Sequence, residues 1–178
     1  MIKTNTPFEG LYILKTNNFT DARGGFQKLF NAEWFAAEGL DTDFKEFYYS
    51  VSHRNVIRGM HFQLPPHEHS KLVYVSKGSI VDVVLDLRKN SSTFAQYYSV
   101  TLNDTDARYL YIPVGFAHGF LALEDNTIVN YAQTSCYNRD ADAGIAHDSF
   151  GFDWNVTLPI ISDRDAGFVR FEDFETVF

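Results

Sequence analysis

KLVYVSKGSIVDVVLDL, Lys71 to Leu87, decides the fold class. Two runs of mainly β-branched and aliphatic residues flank Lys77-Gly78. Such side chains pack well on a pleated surface, and the Lys-Gly step between them reads as a β-hairpin turn. The texture continues outward. YYSVTL (97–102), RYLYIP (108–113), GFLAL (119–123) and TIVNYAQTSCY (127–137) follow, punctuated by Asn, Asp, Gly and Pro. Upstream, GLYILKT (10–16) and GGFQKLF (24–30) read as strands. NAEWFAAEGL (31–40) reads as a helix, with Asn31 as N-cap, Glu33 favoured in the first turn and Gly39 placed to end it. The last thirty residues are turn-rich, with one short helix expected near EDFETVF. Many short strands at this spacing predict an all-β sandwich or barrel rather than a parallel α/β sheet. No repeat, low-complexity tract or linker divides the chain, so residues 1–178 are expected to form a single domain.

Composition narrows the function classes. A chain of 178 residues can bury a substantial core, and 45% hydrophobic with 16% aromatic content favours folding over disorder. Seventeen Phe and ten Tyr against two Met suggest a β-rich, aromatic-lined interior. The net charge is −8 and no Lys/Arg cluster forms a stripe, which argues against nucleic acid as a partner. A few convergent Arg and Lys can still build an anion pocket on an acidic protein. Cys136 is the only cysteine, so an intrachain disulfide and a Cys-rich zinc site are excluded. A lone thiol fits a reducing compartment. MIKTNTPFEG lacks the apolar core of a signal peptide and no run reaches spanning length, so a cytoplasmic protein with no membrane partner is expected.

The stretch before and into the first strand pair, RGMHFQLPPHEHSKLVYV (Arg58–Val75), concentrates polar chemistry. His67 and His69 stand at i, i+2, the spacing a strand-borne metal site would use. A jelly roll with paired histidines resembles a cupin, and Pro113-Val-Gly115-Phe-Ala-His118 resembles that fold's Pro-x-Gly-x-x-His element. In metal-binding cupins an acidic ligand precedes the turn glycine; counted back from Gly78 it falls near position 71, which is Lys71. A protonated lysine has no lone pair to coordinate, and its charge repels a divalent cation. No metal is therefore expected here. His67 and His69, beside Pro65-Pro66 and Glu68, are expected in a solvated loop. Lys71 offers a fixed cation able to stabilise charge developing on a substrate oxygen.

A longer series of motifs is similar to one family. It runs Asp21-Ala-Arg23-Gly24-Gly-Phe26, Ser50-Val-Ser52, Arg58-Gly-Met-His61-Phe-Gln63, Lys71-Leu-Val, Asp82-Val-Val-Leu-Asp86-Leu-Arg88 and Ser92-Thr-Phe94. It continues through Ile112-Pro-Val-Gly-Phe-Ala-His118-Gly-Phe120, Tyr131, Tyr137-Asn138, Trp154 and Ser162-Asp163-Arg164-Asp165. Each motif alone is weak, but their order over nearly the whole chain resembles the dTDP-4-dehydrorhamnose 3,5-epimerases, metal-independent cupins acting on nucleotide-linked 4-keto sugars. The resemblance implies a cupin-type double-stranded β-helix (jelly roll) with a few short helices, no cofactor, and a homodimer formed by an exchanged N-terminal strand or sheet-to-sheet packing.

The same resemblance implies roles. His61 is the base and Asp165 its partner, fixing the imidazole tautomer and stabilising the imidazolium. The C4 ketone acidifies the protons at C3 and C5, Lys71 stabilises the enolate with His118 as helper, and Tyr131 returns a proton from the opposite face. Arg58 and Arg23 are expected at the diphosphate, since guanidinium grips phosphate bidentately. Phe26 and Tyr137 are expected to stack on base or sugar, and Gln63 to contact the substrate. Taken singly, these residues have ordinary readings: His61 or Tyr131 as core packing, Lys71 as a surface lysine, Asp165 as a helix cap. Asp82 and Asp86 read as structural or interface residues, and His53 and His147 carry no role.

Two departures stand out. Glu46 and Tyr48 occupy positions where the family usually has Gln and Asn, so Glu46 is expected to point elsewhere or to mark a different ligand. His147-Asp148-Ser149 stands where Asn-Asp-Pro is common. The competing readings are a single-centre epimerase, a 3,4-ketoisomerase, a non-catalytic sugar-binding cupin and a metal dioxygenase cupin. An intact His61, Lys71, Tyr131 and Asp165 favours epimerisation.

Overall fold

Alternation with period two sorts the strands into two facing sheets. In the computed structural model, which describes residues 1–178, the strands are β1 (Ile2–Asn5), β2 (Tyr12–Lys15), β3 (Asn18–Asp21), β4 (Gly24–Gln27), β5 (Glu46–Ser52), β6 (Ile57–Gln63), β7 (Lys71–Lys77), β8 (Ser79–Asp86), β9 (Tyr97–Asn103), β10 (Arg108–Ile112), β11 (Phe116–Ala122), β12 (Thr127–Gln133) and β13 (Asp142–Gly144). One sheet has the order β1-β2-β10-β7-β12-β5 and the other β13-β6-β11-β8-β9. The architecture is the cupin-type jelly roll. No helix is long and apolar enough to cross a membrane.

Inward-facing Val73, Val75, Leu110, Ile112 and Val129 of the six-stranded sheet meet Ile80, Val84, Leu102, Phe116 and Phe120 of the five-stranded sheet. Removing each such side chain from water contributes about 1.5–3 kcal/mol before ordering entropy is subtracted. The outer face of the six-stranded sheet is covered by α1 (Ala32–Ala37), whose Phe35 is fully buried beside Tyr109, Tyr111 and Leu72. Asn31 Oδ1 caps this helix by accepting from the Trp34 N–H at 2.9 Å, and Gly39 follows its end at φ +72°. The outer face of the five-stranded sheet is covered by the C-terminal segment through Phe150 and Trp154, with Phe171, Phe174 and Phe178 packed at the edges. That segment contains α2 (Asp163–Ala166) and a 3₁₀ turn (Phe171–Asp173) close to the expected short helix.

Two expectations need correction. Lys71–Lys77 and Ser79–Asp86 are both strands, but they do not form a hairpin: β7 pairs with β10 and β12, whereas β8 pairs with β9 and β11. One intervening residue, Gly78, is shorter than the two-residue loops that fold a strand back on its neighbour, so the chain crosses to the other sheet instead. Gly78 has φ +80°, and a Cβ there would lie 2.5 Å from Thr127 Oγ1. GGFQ is also a strand, yet β4 pairs only with β3, in a hairpin joined to neither sheet.

One irregularity positions the site. His118 opposes His61 and Phe120 opposes Arg58, so two residues of β11 span three of β6. This β-bulge brings Arg58 and His61, which a regular strand would direct to opposite faces, onto the same face. It fits only because Gly59 faces Gly119: a Cβ on Gly59 would stand 2.5 Å from Gly119 Cα and 2.8 Å from His118 O, at φ +132°. Gly59→Ala is therefore expected to lose more than about 2 kcal/mol of stability, read as a lower denaturant midpoint at unchanged m-value. An unchanged midpoint would show that the two strands have room to separate.

Candidate active site

The inward residues at one end of the sandwich surround a cavity of about 370 Å³. From the five-stranded sheet come Arg58, His61 and Gln63 of β6, His118 of β11 and Asp142 of β13. From the six-stranded sheet come Lys71 of β7, Tyr131 and Gln133 of β12, and Glu46, Tyr48 and Ser50 of β5. His69 and Tyr137 belong to loops, and Arg164 to α2. The volume suits a small ligand, and both charge signs are present on its wall.

His61 Nε2 lies 2.9 Å from Asp165 Oδ1. Asp165 stands in the first turn of α2, whose N-cap is Ser162, so it is not itself the cap. Its second oxygen accepts from the Gly59 N–H at 3.0 Å. Burial works to raise the Asp165 pKa, but the His61 and Gly59 hydrogen bonds outweigh it and hold the carboxyl below its ordinary range. An ionised Asp165 accepts a hydrogen bond from the Nε2–H of a neutral His61 and leaves Nδ1 as the basic nitrogen. Burial lowers the His61 pKa; Asp165 opposes this, while the charges of Arg164 and Lys71 add to it.

Arg164 is fixed by two 2.7 Å hydrogen bonds to Asp142 and lies over the Phe168 ring at 5.1 Å. Its Nη1 is 3.4 Å from His61 Nε2 and 3.7 Å from Asp165 Oδ1. Phe168 meets His61 edge-on at 5.6 Å and rests on Gly144, where a Cβ would collide with its ring at 2.4 Å. The His61 imidazole, the Asp165 carboxylate and the Arg164 guanidinium therefore sit in a fixed order.

The opposite wall carries the other charge chemistry. Lys71 is 5% exposed, and burial pushes its pKa down to about 8 against the favourable fields of Asp82 and Asp142. Across from it, on the same sheet as His61, Asp82 Oδ2 is 2.8 Å from His118 Nε2, and both side chains are buried. Tyr131 is stacked on Tyr48 with ring centroids 4.6 Å apart, and its hydroxyl is 3.3 Å from Ser50 Oγ. Burial raises its pKa strongly, so the phenol keeps its proton. No three His, Cys, Asp or Glu side chains converge as a metal-ligand group.

Of the residues singled out in the sequence, His61, Lys71, Tyr131, Arg58, Gln63, His118 and Tyr137 line this cavity, with Asp165 directly behind His61. Gln63 is engaged by the protein: its amide nitrogen donates to His67 O at 2.8 Å and its oxygen accepts from Asn138 N–H at 2.6 Å. Arg23 and Phe26 do not join the cavity, because they lie on the β3–β4 hairpin beside Phe19. His67 and His69 are not in a solvated loop. His67 Nε2 is 3.1 Å from Asn138 Nδ2, and His69 is buried in the wall. Glu46 points into the cavity, where Oε2 accepts from the Tyr137 N–H at 2.6 Å. Asp82 belongs to the pocket group, whereas Asp86 has the structural role expected, gathering Arg88, Ser91 and Thr93. The sequence signal for Asp82 was an acid at an inward position of an apolar strand. Arg164 and Asp142 gave no such signal.

A family model described as dTDP-4-dehydrorhamnose 3,5-epimerase matches residues 5–173. A protein of Methanothermobacter thermautotrophicus bearing that name is 43% identical over 165 residues, covering 90% of this chain and 89% of its own. The Bacillus anthracis dTDP-4-dehydrorhamnose 3,5-epimerase, solved with TDP and PPi bound, superposes with a TM-score of 0.92 at 36% identity, over 95% of this chain and 98% of that one. The Legionella pneumophila dTDP-6-deoxy-D-glucose-3,5-epimerase, in complex with dTDP-4-keto-L-rhamnose, superposes with a TM-score of 0.92 at 30% identity, over 98% and 94% of the two chains.

The arginine beside the dyad has a measurable consequence. Arg164 disfavours the imidazolium, so Arg164→Gln is expected to raise the His61 pKa, seen as a higher midpoint of its C2–H proton resonance; Arg164→Lys is expected to keep most of the depression. A midpoint unmoved in both variants would mean that the guanidinium's field is screened by solvent.

Proposed function

The chain belongs to the dTDP-4-dehydrorhamnose 3,5-epimerase family, and we propose that its cavity inverts C3 and C5 of dTDP-4-dehydro-6-deoxyglucose through His61, Lys71 and Tyr131. It is an isomerase acting on a nucleotide-linked sugar. The observation that carries the residue assignment is the His61–Asp165 pair, 2.9 Å long, facing Lys71 and Tyr131 across one cavity.

The reaction follows from where the groups stand. His61 Nδ1 takes the proton from the carbon next to the ketone, and the C–H electrons move into an enolate on the C4 oxygen. Lys71, cationic below a pKa of about 8, stabilises that oxyanion. Tyr131 then gives its hydroxyl proton to the opposite face of the carbon as the enolate collapses to the ketone. No atom is gained or lost by the sugar apart from the exchanged proton. His61 has gained one proton and Tyr131 has lost one, so exchange with solvent resets both before the second centre reacts. Neutral His61 and protonated Tyr131 are the starting forms that their surroundings favour. Arg58, tied to Ser52 Oγ at 3.1 Å, is assigned to the diphosphate, and Tyr137 at the rim to stacking.

A homodimer explains the residues left outside the cavity. The β3–β4 hairpin exposes Phe19 and Phe26, and the Arg23 side chain is 90% exposed. The outer face of edge strand β5 exposes Phe47, Tyr49 and Val51. Two such apolar patches suit a second copy, the hairpin then offering Arg23 and Phe26 to the partner's nucleotide. The exposed thiol of Cys136 fits work in the reducing cytoplasm, with the whole chain as one domain.

Two experiments test this function. In deuterated water with dTDP-4-keto-6-deoxyglucose, the protein is expected to place deuterium at C3 and C5, and His61→Ala to abolish exchange; Tyr131→Phe is expected to exchange yet invert poorly. Wild-type protein that exchanges neither proton would sink the assignment for this substrate. Mixing His61→Ala with Arg23→Ala subunits is expected to restore about a quarter of wild-type activity, because half the dimers are hybrids carrying one complete site. Recovery absent in demonstrably mixed dimers would mean that the hairpin serves its own subunit.

A further inference from the structure

Two buried polar atoms have no hydrogen-bond partner: Nε2 of His69, which lines the cavity, and Oδ1 of Asp82, which stands behind the lining residue His118. A buried acceptor left without a donor is unfavourable, so each of the two calls for one.

The shorter hydrogen bonds around His69 assign the acceptor role to its Nε2. Ser135 Oγ donates its one hydrogen to His67 O at 2.7 Å. It therefore accepts from its other neighbours, Gln63 Nε2 at 3.1 Å and His69 Nδ1 at 3.2 Å. The Gln63 amide is oriented by the Asn138 N–H on its oxygen; its nitrogen also lies 3.3 Å from His69 Nδ1 and from Cys136 O, but its two hydrogens are assigned to the shorter contacts, His67 O and Ser135 Oγ. Nδ1 of His69 thus carries the ring proton and Nε2 the lone pair. The ring stays neutral, since burial and then the charge of Lys71 push its pKa down to about 3.

Lys71 lines the same cavity as His69. Its ammonium has three hydrogens and makes no hydrogen bond or ion pair in this structure, and its charge acts through space on both His69 and Asp82. We propose that His69 is a positioning residue: its Nε2, together with Asp82 Oδ1, anchors the Lys71 ammonium and leaves one N–H for the C4 oxygen of the sugar. Three donors then meet three acceptors. The flexible four-carbon stem lets the ammonium reach this arrangement. This deepens the proposed function, on which the role of the third N–H rests. Around Lys71 the titratable groups are Asp82 on β8, Asp142 on β13 (paired with Arg164), His61 on β6, His118 on β11, Tyr131 on β12 and the His69 ring itself.

The test reads Lys71 directly, in protein carrying ¹³C at lysine Cε. His69→Phe removes one acceptor of the ammonium and is expected to lower the Lys71 midpoint by about one pH unit, while His69→Gln keeps an acceptor and holds it near wild type. Asp82→Asn is expected to lower it as well. In wild-type protein the His69 Nε2 nitrogen resonance is expected to move with the Lys71 midpoint as its donor titrates, a readout that needs no variant to fold. In turnover, His69→Phe is expected to lose about tenfold in kcat with KM unchanged, and the basic limb of kcat/KM to move to lower pH. An unmoved Lys71 midpoint and a silent His69 nitrogen would overturn the anchor, and a rise in KM with the basic limb unchanged would make His69 a substrate contact instead. Wild-type protein without exchange activity, but with the coupled titration intact, would count against the proposed reaction and leave the anchor standing.

Discussion

The bulge in β6 is the constraint on which the site depends. In a regular strand, residues three apart face opposite ways, so Arg58 and His61 could not share a cavity. Because two residues of β11 oppose three of β6, both turn inward, and the Gly59 N–H is directed to Asp165. The bulge lies flat only because glycines meet across the strands at positions 59 and 119. A backbone device thus aims His61, holds the Asp165 carboxylate behind it and turns Arg58 into the same cavity. Helix α2 needs only one turn, because Ser162 caps it and Asp165 is tied to both β6 groups.

The two-sheet architecture divides the proposed chemistry between its walls. The base and its carboxylate belong to the five-stranded sheet and the segment packed on it, whereas the proposed cation and acid project from the six-stranded sheet. A ring lying between the sheets would have a proton acceptor on one face and a donor on the other, which is what inversion at carbon requires. Each wall also adjusts the electrostatics differently. Burial, aided by the charge of Arg164, keeps His61 toward its neutral form, and burial keeps Tyr131 protonated. Lys71 is balanced, with burial opposing its charge and Asp82 and Asp142 supporting it.

Much of this was legible in the sequence because it depends on local rules. Runs of β-branched and aliphatic residues between turn signals located the main strands, and Asn31 and Gly39 bounded the helix. The ordered motifs brought His61, Lys71, Tyr131 and Asp165 forward. What failed depended on pairing across sheets. Lys77-Gly78 looks like a hairpin turn until β7 and β8 are seen to need different partners. Two histidines beside two prolines look solvated, yet Ser135 and Gln63 fold the loop inward and bury His69. Arg164 and Asp142 meet from segments 22 residues apart, and no spacing rule connects them.

Glu46 and Tyr48, the departures that clouded the sequence reading, fit the cavity by serving its geometry. A carboxylate beside a diphosphate site would oppose binding if it were free to face the ligand. Glu46 instead accepts the Tyr137 N–H at 2.6 Å and lies 3.5 Å from the Gln133 amide nitrogen, whose oxygen takes the Tyr48 hydroxyl. The chain Tyr137–Glu46–Gln133–Tyr48 ends in the ring stacked on Tyr131. The acid at position 46 therefore fixes the rim loop, and the phenol at position 48 covers the proposed proton donor. Replacing an amide by a carboxylate here exchanges a neutral acceptor for a charged one, which strengthens its bond to a backbone N–H. The charge is held by the protein's own donors, so the departures are compatible with an anionic nucleotide in the same cavity.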